Sequence, residues 1–155
     1  MGAENCEPFL RWAGGKRWLA DSLCPLLTEL DPKVYIEPFL GSGAVFFGLS
    51  PNRAILSDLN SNLINTYRQI AVDPEKLLRA VEKIPVTEKS YYSVRGKIPT
   101  SDFECAVRFI FLNRTCYGGI YRENQHGKFN TPYGGGSRTP EPLRTYDLLG
   151  KAHRI

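Results

Sequence analysis

Glu37-Pro38-Phe39-Leu40-Gly41-Ser42-Gly43 stands between the short apolar run Val34-Tyr35-Ile36 and the apolar Ala44-Val45-Phe46-Phe47. This order reads as a strand, a glycine turn and a helix start. Two glycines spaced by one residue let the backbone turn sharply and let a ligand come where a Cβ would collide with it. A second run, Ala54-Ile55-Leu56-Ser57, ends in Asp58, close to where a ribose-binding carboxylate belongs in a nucleotide-binding βαβ unit. These residues predict a nucleoside pocket at the carboxyl ends of two parallel strands.

The third glycine of the dinucleotide fingerprint is absent, because Phe46 stands in its place. Glu37 beside the turn would repel a pyrophosphate and attract a cation. S-adenosylmethionine answers that description, since it carries a sulfonium and an ammonium on an adenosine whose ribose Asp58 could hold. A purely structural alternative remains open at this point: Gly41 and Gly43 make a tight loop, and Asp58 caps the helix beginning near Ser61.

A third segment, Phe9-Leu10-Arg11-Trp12-Ala13-Gly14-Gly15-Lys16, decides between these readings. Together with Glu37 to Phe46 and Ile55 to Ile64, it resembles the Dam-like family of DNA adenine-N6 methyltransferases. Arg11 stands where that family commonly has lysine. The resemblance implies S-adenosylmethionine contacts at Trp12, Lys16 and Asp58, with the loop residues Glu37, Phe39, Gly41 and Gly43 beneath them. It extends to Leu112-Asn113-Arg114-Thr115-Cys116-Tyr117-Gly118-Gly119 and to Phe129-Asn130-Thr131-Pro132-Tyr133-Gly134, which look like the family's L-N-R-x-x-Y-x-G segment and the F-N-x-P-[FY]-G that closes the following hairpin.

Within that hairpin the resemblance implies contacts with double-stranded DNA. Arg114, Arg122 and Lys128 are the basic candidates, and Arg122 would read a guanine edge, where a guanidinium can bond O6 and N7 together. Ile120 falls where the family places an apolar wedge between base steps, although packing on Phe129 would explain it equally well. Tyr117 and Asn124 are further candidates for phosphate or base contact. His126-Gly127 reads as the hairpin tip.

The family's catalytic tetrad, D-P-P-Y, does not occur in these 155 residues. In the family, its acidic or amide side chain and a proline carbonyl accept hydrogen bonds from the target amino group, whose lone pair is otherwise delocalised into the adenine ring. Asp31-Pro32 and Asp73-Pro74 lack the second proline and the aromatic ring. Asn130-Thr131-Pro132-Tyr133 comes closest, but its neighbours Phe129 and Gly134 assign it to the recognition hairpin. No catalytic residue is therefore assigned, and the chain by itself is expected to be inactive, the alternatives to a methyltransferase fragment being a catalytically silent DNA-binding remnant or an unrelated nucleotide-binding Rossmann protein.

The charge distribution agrees with a DNA partner. Net charge is +4, yet residues 1–106 hold 12 Lys/Arg against 13 Asp/Glu, whereas residues 107–155 hold 8 against 3. A basic excess interleaved with Tyr117, Tyr121, Phe129 and Tyr133 is the footprint expected for a phosphate backbone, the alternative being a solvated basic tail. With 42% hydrophobic and 23% charged residues, the chain has ordinary globular composition. No apolar run reaches membrane-spanning length and Asn5, Glu7 and Arg11 interrupt any signal-like N-terminus, so a cytoplasmic protein is expected. Cys6, Cys24, Cys105 and Cys116 show no C-x-x-C spacing and no paired histidine, which argues against disulfides and zinc.

Asp73-Pro74 predicts a helix start, followed by Leu77, Leu78, Val81 and Ile84 at helical spacing. Ser101 and Glu104 form a capping-box pattern ahead of Phe103, Val107, Ile110 and Phe111. Leu19, Leu23, Leu26 and Leu27 suggest a further helix, bent or ended near Pro25. The expected fold is α/β: a truncated Rossmann-like S-adenosylmethionine-dependent methyltransferase domain with a mainly helical target-recognition subdomain and hairpin. Residues 1–72 form the partial core, 73–138 the recognition region and 139–155 a return toward the core, after a flexible joint at Gly134-Gly135-Gly136-Ser137. Two parallel strands leave open sheet edges, which predicts a homodimer, low stability or a complementing C-terminal fragment.

Overall fold

The computed structural model describes residues 8–135. The tail from 139 to 155, Cys6, and Gly136 and Ser137 of the glycine-rich joint lie outside the described residues. Along the chain run α1 (Arg17–Glu29), β1 (Tyr35–Glu37), α2 (Ala44–Leu49), β2 (Ala54–Leu56), α3 (Ser61–Val72), α4 (Pro74–Glu82), α5 (Glu88–Gly96) and α6 (Asp102–Thr115). A single 3-10 turn, Tyr117–Gly119, then opens the hairpin. The two strands pair in parallel with Tyr35 opposite Ala54, Ile36 opposite Ile55 and Glu37 opposite Leu56. As the pattern of the sequence requires, α2 is the crossover between them.

Local chemistry sets the helix starts. The side chains of Asn60, Asp73, Thr87 and Ser101 each accept a hydrogen bond from the backbone N–H three residues on, satisfying donors that a helix start otherwise leaves unpaired. Pro74 occupies the first turn of α4, where its missing N–H costs nothing. The capping box at Ser101 is only half made. Glu104 turns its carboxylate to the backbone N–H and hydroxyl of Thr100, one residue earlier than the pattern predicts. These bonds, with Lys97 nearby, lower its pKa.

Pro25 does not end α1, which continues to Glu29. The helix lies on the surface with no buried residue and packs on α2, where a Cβ at Gly48 would stand 2.8 Å from the Cys24 sulfur. Helix α4 ends at Glu82, so Ile84 packs from the following turn.

The core is built around α6, whose Ala106, Phe109, Ile110, Phe111, Leu112, Asn113 and Thr115 are all buried. A helix apolar on most of its circumference has to be surrounded, and α3, α4 and α5 pack against it. The expected division between residues 72 and 73 falls between α3 and α4, and one apolar cluster from Phe9 and Phe47 to Tyr91 and Phe129 runs across it. Among the described residues no helix is long and apolar enough to cross a membrane.

Candidate functional site

The carboxyl ends of β1 and β2 meet at the glycine turn. The backbone N–H of Ser57 donates to Glu37 and that of Leu40 to Ser57, so the two chains stay joined one step beyond the named strands. Gly41 and Gly43 both adopt left-handed backbone, with φ of 55° and 71°, and Gly43 is the N-cap of α2. A Cβ at Gly41 would stand 3.0 Å from Cδ1 of Trp12. The turn therefore requires glycine for its dihedral and for the close approach of the indole.

Asp58 closes this turn. Its Oδ2 accepts from the Gly41 N–H at 2.9 Å and its Oδ1 from the Asn60 N–H at 2.9 Å. Each carboxylate oxygen keeps a further acceptor direction, and the residue is half-buried, an arrangement fitted to a pair of hydroxyls. The cap of α3 is Asn60, whose side chain accepts from Leu63 N–H at 3.0 Å. The alternative role considered for Asp58, helix capping, thus belongs to its neighbour.

Glu37 is buried, and both its oxygens are engaged: Oε1 accepts from Lys16 Nζ at 2.7 Å and Oε2 from the Tyr35 hydroxyl at 2.9 Å. Lys16 Nζ also donates to the Phe39 carbonyl at 2.6 Å. The carboxylate that the sequence offered as an attractor for a cation is instead the counter-charge of Lys16, and the pair buttresses the loop from beneath. Burial, and then the bond to Glu37, raises the pKa of Tyr35 so that its hydroxyl stays a donor. Phe39 projects outward, 77% exposed.

The hairpin leaves α6 at Cys116, whose burial pushes its thiol up to about 11. Antiparallel bridges join Cys116 to Tyr133 and Glu123 to Phe129. At the tip, the Asn124 side chain accepts from the N–H groups of His126 and Lys128, and Gly127 takes left-handed backbone with φ of 69°. Asn124, predicted to touch DNA, thus shapes the turn that presents Lys128. Tyr117, Ile120, Arg122 and Lys128 are exposed. Arg122 Nε donates to Asn130 Oδ1 at 3.0 Å, which anchors the exposed guanidinium at one nitrogen.

Arg114 points the other way. Its Nη1 donates to the Phe9 carbonyl at 2.9 Å. One residue earlier, buried Asn113 donates from Nδ2 to the Arg11 carbonyl at 2.6 Å and accepts from the Arg11 N–H at 3.0 Å. Adjacent residues of α6 thereby hold the segment that carries Trp12 against the helix. Sequence reasoning missed Asn113, although a lone amide among Phe109, Ile110, Phe111 and Leu112 signals a buried polar group that needs partners. The Asn130-Thr131-Pro132-Tyr133 stretch is the return arm of the hairpin, where the Thr131 carbonyl accepts from the Tyr91 hydroxyl at 2.8 Å and Arg95 at 3.1 Å.

Trp12, Lys16, Glu37, Gly41, Gly43 and Asp58, expected from three separate segments, therefore converge on one loop, while the basic candidates Arg122 and Lys128 are exposed on one hairpin. The profile of the D12 class N6 adenine-specific DNA methyltransferases matches residues 12–146. The chain belongs to this family. It is 40% identical over 141 residues to the Type II methyltransferase M1.LlaDCHI of Lactococcus lactis subsp. cremoris, covering 84% of this chain and 48% of that protein. It is 37% identical over 150 residues to the Type II methyltransferase M.MjaIII of Methanocaldococcus jannaschii, with 83% and 52% covered. The DNA adenine methylase of Escherichia coli K12 is 37% identical over 132 residues, with 81% and 47% covered. The chain spans about half the length of these curated relatives. As a D12 class member it places the family's first segments on the glycine loop and its later ones on the hairpin.

Proposed function

We propose that this chain supplies the methyl-donor loop and the DNA-reading hairpin of a site-specific DNA adenine-N6 methyltransferase that uses S-adenosylmethionine. The observation that carries the reading is the Asp58 carboxylate, fixed to the Gly41 N–H at the carboxyl ends of two parallel strands, the position at which open α/β sheets bind nucleosides. S-adenosylmethionine would supply an electrophilic methyl group. Asp58 holds the ribose hydroxyls, Gly41 and Gly43 let the ligand approach the backbone, Trp12 walls the loop, and the Lys16–Glu37 pair keeps it in shape. The two strands are the first part of a Rossmann-like sheet in residues 1–72.

The hairpin of the 73–138 region meets double-stranded DNA. Arg122 reads a base edge, Lys128 meets phosphate, and Tyr117 and Ile120 present aromatic and apolar surface to the bases. We assign Arg114 and Asn124 the supporting roles their hydrogen bonds describe. A DNA substrate suits a cytoplasmic protein.

No D-P-P-Y occurs in these 155 residues, and we assign the acceptors for the adenine amino group to a separate segment. Two features support a further segment of the methyltransferase, or a second copy of the chain, lying against the sheet. Ile36 and Ile55, paired side by side, are 61% and 59% exposed, and parallel sheets ordinarily have both faces covered.

Calorimetry tests the donor site. S-adenosylmethionine is expected to bind, and Asp58→Ala combined with Lys16→Ala to weaken binding at least about tenfold, the equivalent of one lost hydrogen-bonded charge contact. Binding unchanged by the double substitution removes the assignment. Labelled-methyl transfer to adenine-containing duplex DNA, with and without a fragment bearing D-P-P-Y, tests the catalytic division.

A further inference from the structure

Tyr121, one of the aromatics interleaved with the basic residues, touches both halves of the site. Its ring stacks on Trp12, with centroids 5.6 Å apart and planes 17° from parallel. Phe109 of α6 lies 4.7 Å away and Phe129 of the return arm 5.2 Å. On the donor side, Trp12 is the indole against which Gly41 packs. On the DNA side, the Tyr121 hydroxyl donates to Glu123 Oε1 at 2.6 Å, and the intervening Arg122 is tied to Asn130. Asn60, the N-cap of α3, and Asn62 in its first turn also approach the hydroxyl, while burial and Glu123 raise its pKa. The proton stays on the oxygen that holds Glu123.

We infer that Tyr121 is a positioning residue that couples the donor loop to the DNA-reading hairpin, so that donor and DNA each tighten the binding of the other. The inference rests on the donor-and-DNA reading of this site. A ligand seated on the Gly41 turn restrains the Trp12 ring, and a restrained Trp12 leaves Tyr121 fewer orientations. The backbone that carries Arg122 and Glu123 is then ordered before DNA arrives. Ordering that one ligand has already imposed need not be imposed again by the second, which is positive cooperativity without a large movement. Linkage requires the effect to be equal in both directions.

The test measures the dissociation constant of S-adenosylmethionine for the full chain, with and without a saturating adenine-containing duplex. The wild-type ratio is expected to be about fivefold or more. It should fall toward one in Tyr121→Leu, which removes the ring, and persist in Tyr121→Phe, which keeps the stack. A residue that served packing alone would lower the melting temperature of Tyr121→Leu and leave the ratio unchanged.

The chain has two tryptophans, and Trp18 is exposed. In a Trp18→Phe background, Trp12 emission reports the link directly: duplex DNA added without donor should change it, and Tyr121→Leu should abolish the change. A wild-type ratio of one, or a ratio that survives Tyr121→Leu, overturns the inference even where both ligands bind. If Tyr121→Leu does not fold, Tyr121→Met, which also removes the ring, takes its place in both measurements. A chain that binds neither ligand removes the functional reading and this inference together.

Discussion

The glycine loop proposed to hold the donor and the region around α6 proposed to read DNA are finished to different degrees. Around α6, large side chains such as Tyr91, Phe111, Leu112 and Leu77 are fully enclosed, and the hairpin is bonded to α5 through Thr131. At the sheet, three-residue strands carry Ile36 and Ile55 on an open face, with Leu59 99% exposed just beyond β2. The loop between them is nevertheless well determined, held by Asp58, Lys16 and Glu37. The glycine loop is thus fixed by polar bonds while the layer next to it stays bare. The difference teaches that the core gathers around α6 and the elements packed on it, whereas the exposed face of the sheet contributes little to the stability of the isolated chain.

Stability measurements break or sharpen this contrast most strongly. Leu112→Ala is expected to cost about 2–5 kcal/mol in denaturant unfolding, since Leu112 is wholly enclosed. Ile36→Ala and Ile55→Ala should each cost well under about 1 kcal/mol, within the range of surface substitutions. Comparable losses at both places would mean that the sheet face is covered in solution, and sedimentation would then show association.

On the ligand side of the same contrast, Arg122→Ala should weaken binding to the preferred duplex by about 1–3 kcal/mol and relax sequence choice. Lys128→Ala should weaken all duplexes alike and reduce the salt slope by about one counterion. Unchanged DNA affinity in Arg122→Ala would take the reading role away from the hairpin.

A smaller effect comes from pH. Cys116 at the hairpin base holds its proton more tightly folded than unfolded, its pKa being raised from 9.0 to about 11. Its contribution is complete below pH 9.0 and is lost as pH rises toward 11, because the unfolded chain ionises first. Unfolding free energy should decline from about pH 9, and the decline should be shallower in Cys116→Ala. An identical slope in that variant would show that Cys116 is accessible in solution.

Both kinds of region were partly legible in the sequence, for reasons visible at particular residues. Asp73-Pro74 and Ser101 announce helix starts because a cap is made within three residues of chain. Gly41 and Gly43 announce the turn because its dihedrals suit few other residues. Arg114 reads as a DNA contact because charge beside an aromatic pattern is all that a sequence displays, whereas the fold brings the Phe9 carbonyl to its guanidinium. Glu37 likewise reads as a free carboxylate until Lys16, in another segment, is seen beside it.

The sequence by itself determined the parallel strand pair, its glycine bend, the helical stretch after Asp73 and the hairpin around His126-Gly127. Periodicity, capping and turn chemistry act over a few neighbouring residues and can be read there. Tertiary structure alone decided which long polar side chains face inward, that Asp58 braces the turn, and that Tyr121 meets Trp12. Those outcomes depend on contacts such as Asn113 with Arg11, 102 positions apart, and no local pattern specifies which distant partner a side chain will find once the core has closed around it.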